Sequence, residues 1–231
     1  MKEIRKHGID LLSEQTVIRR RIRDISKDIC PDLQWIHCLS LGLIHSVYTQ
    51  YIGIPGKTNE SVSARLPLIA SFIQGIDLAE ITIVEGLYSQ AAVLLKQELE
   101  TIAAVNECIK GVRKNKCTPT VKYVDYDLKK LYPILNGIGH VSEKDPFEEL
   151  YIGVPDHRVV DQKPVSITPL FNKQRYEQFY GIHILLVVQA IEKLVELYND
   201  MYEFSLNEKQ EEALMIIYKV LLEQDFLRLD E

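Results

Sequence analysis

The sequence predicts an all-α protein, a bundle of several helices that forms a single domain over residues 1–231. Apolar residues recur every three or four positions along most of the chain, which is the spacing of one face of a helix. Only 11 glycines and 9 prolines occur among the 231 residues. Helix breakers are therefore scarce, and disordered or collagen-like classes are excluded. A chain of this length buries a core without disulfides or a bound metal.

We predict two helices in residues 1–57, added to the core bundle at its N-terminal end. The first, over residues 2–29, carries an aliphatic stripe at helical spacing: Ile4, Leu11, Leu12, Ile18, Ile22 and Ile25. Pro31 closes this helix. Asp32 is expected to cap the second helix, which ends before the Gly-Ile-Pro-Gly sequence at 53–56.

The core bundle is predicted over residues 62–231. It comprises five further helices with the following bounds: 62–85, 88–111, 125–139, 172–204 and 207–226. Gly111 is a suitable C-terminal stop for the second of these. Pro133 and two glycines lie within the third, so that helix is expected to be kinked or short. The helix at 172–204 is the most apolar, as expected of a central helix in a bundle.

Residues 142–170 interrupt the helical pattern. Four of the prolines lie here, at 146, 155, 164 and 169, and two short β-type runs flank an Asp-Gln-Lys-Pro sequence. We expect an irregular insert, with a small β-hairpin as one option.

The charge pattern argues against a surface that binds nucleic acid throughout, because 27 basic residues face 33 acidic ones and the formal net charge is -6. DNA binding is not expected. Residues 110–130 are locally basic, however, and include Arg113, Lys114 and Lys116. These three are either solvated side chains or contacts to RNA or to a protein partner.

Several classes of site and location are excluded or disfavoured by missing patterns. The four cysteines form no CxxC pair, no Glu-x-x-His occurs, and the common nucleotide and hydrolase motifs are absent. No metal and no cofactor are therefore predicted. No signal-peptide pattern begins the chain, and the longest strongly apolar stretch, 182–191, is too short to cross a bilayer. A cytoplasmic protein with reduced thiols and no membrane contact is expected.

One polar constellation stands out as a candidate site. Lys96 and Glu100 share a helical face, as do Asn136 and His140, with Tyr132 one turn before Asn136. Two interpretations remain open. In the first, His140 is a buried structural histidine held by Glu100 or by a backbone carbonyl, and it joins two helices.

In the second interpretation these residues line a polar pocket. His140 then acts as a general acid or base, with Lys96 and Glu100 as its catalytic partners. The remaining members contact the ligand: Asn136, Tyr132 and Ser142. For His37, Cys38 and His45 on the second helix, a core or boundary role is favoured over a metal site, because 37 and 45 diverge by roughly 80° around the axis.

The order of motifs from 62 to 204 resembles a family of bacterial helical proteins of unknown function. Their pattern, LLRxxLE followed by LSxxxH, is matched here by Lys96, Glu100, Leu135 and His140. More remotely, Asn136-x-x-x-His140 on a bundle helix is similar to the HEPN superfamily. Many of its members are dimeric ribonucleases of toxin-antitoxin and phage-defence systems.

The HEPN resemblance implies a phosphate-binding arginine and a histidine that serves the proton transfers of metal-independent RNA cleavage. Leu135 occupies the position of that arginine, so Lys96 would have to replace it. The sequence therefore favours a non-catalytic helical interaction module, HEPN-like in shape and self-associating or bound to a protein partner, in bacterial stress or phage defence. The alternative is a metal-independent ribonuclease that uses His140.

Overall fold

The computed structural model of the protein describes residues 1–140 and 166–227, and this part of the chain is all-α, which confirms the predicted fold class. It contains seven α-helices: α1 (Lys2–Ser26), α2 (Pro31–Thr49), α3 (Glu60–Val84), α4 (Tyr88–Ile109), α5 (Tyr132–Gly139), α6 (Lys173–Tyr202) and α7 (Glu208–Glu223). Two 3₁₀ turns, Val121–Tyr123 and Leu128–Leu131, precede α5. Most of the predicted insert, with its optional hairpin, lies outside the described residues.

Two predicted helix starts are wrong, and proline explains both. The helix predicted from residue 125 begins only at Tyr132, because Pro133 lies in its first turn. Proline has no amide hydrogen to donate to a preceding turn. Likewise, Cys30 rather than Asp32 is the N-cap of α2, and Pro31 lies in the first turn, where its missing donor costs nothing.

The long helix α6 is the centre of the bundle. Helices α2, α3 and α4 all pack against it, α7 packs on α2, and α5 packs on α4. Its aliphatic residues from Ile184 to Ile191 are almost fully buried. The predicted central position of this helix is therefore confirmed.

The segment 1–57 divides into a core helix and a peripheral one. Leu33, Ile36 and Val47 of α2 are at most 2% exposed, so the core extends into this segment. In α1, by contrast, residues 1–14 are all exposed. Only its C-terminal half docks, through buried Ile22 and through arginines that bind Glu85 at the end of α3.

Glycines in the left-handed region end α3 and α4. Gly86 (φ +74°) and Gly111 (φ +65°) each follow the C-cap residue, and the next residue donates its N–H back across the last turn. This is the Schellman arrangement, in which glycine avoids the strain of a side chain at positive φ. The predicted stop at Gly111 is confirmed.

After α4 the chain turns and runs back alongside α4 in the opposite direction. Asn106 donates its side-chain amide to the carbonyl of Tyr123, at 2.7 Å. The amide of Gln189, fully buried in α6, is paired with both the N–H and the C=O of Asp125, at 3.4 Å each. These contacts hold the segment that leads into α5, and α5 then packs antiparallel to α4.

Candidate functional site

The antiparallel packing of α5 on α4 assembles most of the predicted constellation. Lys96 Nζ lies 3.4 Å from His140 Nε2 and 3.9 Å from Glu100 Oε1. Tyr132 donates its hydroxyl to Glu100 Oε1 at 2.8 Å, and the Lys96 ammonium lies 5.9 Å from the centroid of the Tyr132 ring. We call these four side chains the surface cluster.

Lys96 and Tyr132 are the hydrogen-bond donors of the surface cluster. The Lys96 ammonium only donates, so its contact with His140 is a hydrogen bond in the tautomer in which Nε2 accepts. Burial, reinforced by the bond to Glu100, raises the pKa of Tyr132 to about 12. Tyr132 therefore stays protonated at neutral pH and positions Glu100 rather than transferring protons itself.

His140 is exposed, and the interpretation of it as a buried structural histidine is wrong. It is the C-cap residue of α5, and its backbone N–H is bonded to the carbonyl of Asn136 at 2.9 Å. From this position the ring reaches Lys96 on the neighbouring helix α4. A side chain at Gly139 would make only ordinary contact with Val93 and Lys96, so the packing does not require glycine there.

The other predicted ligand-binding residues are not part of the surface cluster. Ser142 lies outside the described residues. Arg113 binds Glu107 and the carbonyl of Cys117, and Lys114 and Lys116 are exposed in the same loop. This loop follows the C-terminal end of α4, about 20 Å along the helix from Lys96. The basic loop and the surface cluster are therefore separate.

A second histidine cluster lies inside the bundle and joins four helices. His37 Nδ1 of α2 lies 3.3 Å from Glu80 Oε1 of α3, and His183 Nδ1 of α6 lies 3.0 Å from Glu98 Oε2 of α4. The ring centroids of His37 and His183 are 5.1 Å apart. Tyr180 donates its hydroxyl to Glu80 at 3.0 Å. We call these five side chains the buried cluster.

Several polar atoms of the buried cluster lack a partner. The Nε2 atoms of His37 and His183, and Oε1 of Glu98, are inaccessible and make no hydrogen bond within the described part of the chain. Carboxylate-bound imidazoles with a free Nε2 are typical second-shell geometry for a metal ligand. However, residues 1–140 and 166–227 hold no group of three or more His, Cys, Asp or Glu side chains that could bind a metal ion.

The sequence contained a partial signal for the buried cluster. His183 and Gln189 interrupt the apolar run 182–191, and both are fully buried. A polar residue within such a run must find a partner in the core. The partners themselves, Glu80 and Glu98, come from other helices, and no short-range spacing identifies them.

An apolar groove lies between α2 and α3, with its floor formed by α6. Its volume is about 440 Å³. The lining includes Ile44 and Tyr48 of α2, Leu66 and Ile73 of α3, and Leu197 of α6. Tyr48 is 52% exposed and Leu66 36%, so the groove is open to solvent.

The walls of the groove carry no formal charge. No Asp, Glu, Lys or Arg occurs at residues 33–56 or 66–76, although 26% of the whole chain is charged. Among the described residues, α3 is the one helix apolar and long enough to cross a membrane by those two criteria, yet only 33% of its most apolar window is buried in the bundle. Leu66 and Leu78 are the large apolar side chains of α3 that remain exposed.

Comparisons of the chain with protein-family models, with curated proteins and with solved structures gave no match.

Proposed function

We propose that this protein is a non-catalytic helical interaction module that binds the apolar face of an amphipathic helix in the groove between α2, α3 and α6. The groove carries the proposal. An open, uncharged apolar groove on a chain that is rich in charge elsewhere favours a binding face.

The shape of the groove favours a helical occupant. The groove has one wall on α2, one on α3 and an apolar floor on α6. A groove of this kind accepts a row of side chains spaced at i, i+3 or i+4, and i+7, which is how an amphipathic helix binds. Each Leu or Ile side chain that it buries contributes about 1.5–3 kcal/mol. Three such side chains offset much of the cost of association.

A photo-crosslinking experiment tests this proposal. Benzoylphenylalanine at the position of Tyr48 is expected to give an adduct whose attachment site maps to an apolar helical segment. The adduct should disappear when Ile73→Glu places a charge in the groove. Benzoylphenylalanine at Met215 is the matched control, because that side chain is 64% exposed on α7, outside the groove. Equal adducts at both positions, or none at Tyr48, contradict the proposal.

A second candidate function, a metal-independent ribonuclease, is favoured by the geometry of the surface cluster. His140 is exposed beside an ammonium group, so it could take the proton of a ribose 2′-hydroxyl while Lys96 binds the phosphate. Glu100 weighs against this function. Its carboxylate already partners the Lys96 ammonium and repels an incoming phosphate.

RNA cleavage by purified protein tests this second function. If it holds, His140→Ala and Lys96→Ala abolish cleavage while the melting temperature changes little. His7→Ala is the matched control, since His7 is an exposed histidine on α1. Wild-type protein that leaves RNA intact, or a His140→Ala variant that cleaves as fast as wild type, contradicts the ribonuclease function.

The resemblance to HEPN proteins supports a setting in bacterial stress or phage defence, and both functions proposed above are compatible with that setting. The cytoplasmic location stays a prediction from the sequence.

A further inference from the structure

The helix α1 has an apolar stripe that is only half used. Ile22, toward the C-terminal end, is 4% exposed and packs at the corner formed by Gly86. On the same face, Ile4 is 71% exposed and Leu11 37%. Leu12, at the edge of the stripe, is 66% exposed. An amphipathic helix of this kind normally buries its whole apolar face.

We infer that the exposed half of α1 fills the groove of a second copy of this chain, and that the second copy returns its own α1 in the same way. This inference rests on the proposed function, because it names the occupant of the same groove. In such a dimer, two apolar surfaces of the described chain that lack a partner, the exposed half of α1 and the groove, would bury each other.

The dimensions of the two surfaces match. Ile4 and Leu11 are seven residues apart, a rise of about 10 Å along a helix. Leu41 and Tyr48, at the two ends of the groove wall on α2, are also seven residues apart. Ile4 and Leu11 are therefore as far apart as the two ends of the wall. Between them α1 has His7 and Gly8, and the third apolar side chain is Leu12, beside Leu11.

The protein's own α1 does not occupy the groove. Residues 1–14 are exposed, and the docked half of α1 is fixed at Glu85, at the C-terminal end of α3. The groove wall on α3 runs from Leu66 to Ile76, so its nearer end lies about 14 Å from Glu85 along the helix. Among the described residues, the apolar half of α1 is therefore left without a partner in its own chain.

Charge and symmetry also favour a second copy. The uncharged groove accepts the apolar face of α1 without burying an ion, while Lys2, Lys6 and Asp10 on the other faces stay in water. A single contact of this length is small. Two copies related by a twofold axis make the same contact twice, which doubles the area that is buried.

Light scattering on the full chain tests the inference. The expected mass of the wild type at 50 μM is twice the 26.6 kDa of one chain. Leu11→Glu in the stripe and Ile73→Glu in the groove should each give a monomer. Val17→Glu is the matched control and should stay dimeric, because Val17 is 65% exposed on another face of the same helix. Circular dichroism confirms that all three variants fold.

Mixing the two monomeric variants gives a sharper test. A chain with Leu11→Glu keeps an intact groove, and a chain with Ile73→Glu keeps an intact α1. Together they restore one of the two contacts, so the mixture should form a heterodimer that dissociates more readily than the wild type. A symmetric contact between two grooves would instead leave the Leu11→Glu chain dimeric on its own and give no heterodimer in the mixture.

Four results would overturn the inference. They are a monomeric wild type, a dimer that survives deletion of residues 1–14, no heterodimer in the mixture, and wild-type chain that floats with phosphatidylcholine–phosphatidylglycerol vesicles as a monomer. The crosslink at Tyr48 separates this failure from failure of the proposed function. An adduct on a helix of a different protein keeps the interaction module and removes the second copy as its partner.

Discussion

The surface cluster and the buried cluster are built from the same kinds of side chain, histidine, glutamate and tyrosine, but they differ in access to water. His140 is exposed and its nearest partner is an ammonium group. His37 and His183 are at most 2% exposed, and each is bound to a carboxylate.

This difference separates two roles for histidine in one fold. In the interior, a hydrogen bond to a carboxylate is expensive to lose, because the remaining group has no water to replace its partner. At the surface, water replaces any partner that is removed. The buried cluster should therefore carry stability, and the surface cluster should be free to carry chemistry.

The largest expected effect is the loss of His183. His183→Ala leaves the Glu98 carboxylate buried without its partner, and we expect the free energy of unfolding to fall by about 3–5 kcal/mol. Urea denaturation followed by circular dichroism measures it. His140→Ala is the matched surface variant and should lie within about 0.5 kcal/mol of wild type. Similar losses in both variants would remove the distinction between the two clusters.

Replacing both members of the buried pair should be milder than replacing one. Glu98→Leu combined with His183→Leu removes both polar groups and fills the space with apolar atoms. Pairs replaced in this way are often neutral in stability. We therefore expect the double variant to regain about half or more of the loss seen in His183→Ala. A double variant less stable than His183→Ala would show that packing, not the unpaired charge, dominates.

Acid should weaken the buried cluster through Glu80. Burial alone would raise its pKa, but the hydrogen bonds from His37 and Tyr180 outweigh burial and hold the pKa below its ordinary value of 4.5. A carboxyl with a lowered folded pKa adds stability above that ordinary value, and the contribution is lost as the pH falls below it. Urea midpoints at pH 7 and pH 4 should show a smaller acid loss in Glu80→Gln than in wild type. An equal loss of stability at pH 4 in Glu80→Gln and in wild type would mean that other carboxylates cause the acid sensitivity.

The smallest expected effect is in the surface cluster itself. Tyr132→Phe removes the hydroxyl that donates to Glu100, and the expected loss is about 0.5–1.5 kcal/mol. Tyr48→Phe is a control from the exposed surface and should change stability by less than this. The same urea titration resolves the two. If Tyr132→Phe lowered the free energy of unfolding as much as His183→Ala, the surface cluster would also have a structural role.

The fold class and six of the seven helices followed from apolar spacing and from the Pro and Gly positions, to within three residues at each end. The surface cluster also followed from spacing, because Lys96 and Glu100 lie on one helix and Tyr132 and His140 on the next. Helices that are neighbours in sequence and antiparallel bring such pairs together by default.

The buried cluster and the groove could not be found in this way. Glu80, Glu98 and His183 lie on three different helices, and only the packing around α6 determines which turns meet. The groove depends on a space that is left between α2 and α3. The spacing of residues along one helix gives no information about a space that is left between two helices.

Gln189 has a consequence for any mutational scan of this protein. Its amide pairs with the backbone of Asp125, seven residues before α5 begins. We expect a substitution there to loosen the segment that leads into α5, and so to disturb the contact between His140 and Lys96. In a screen for lost activity, a glutamine in the middle of the central helix would score like a member of the surface cluster, and a double-variant analysis of Gln189 with His140 would reveal the mechanical link.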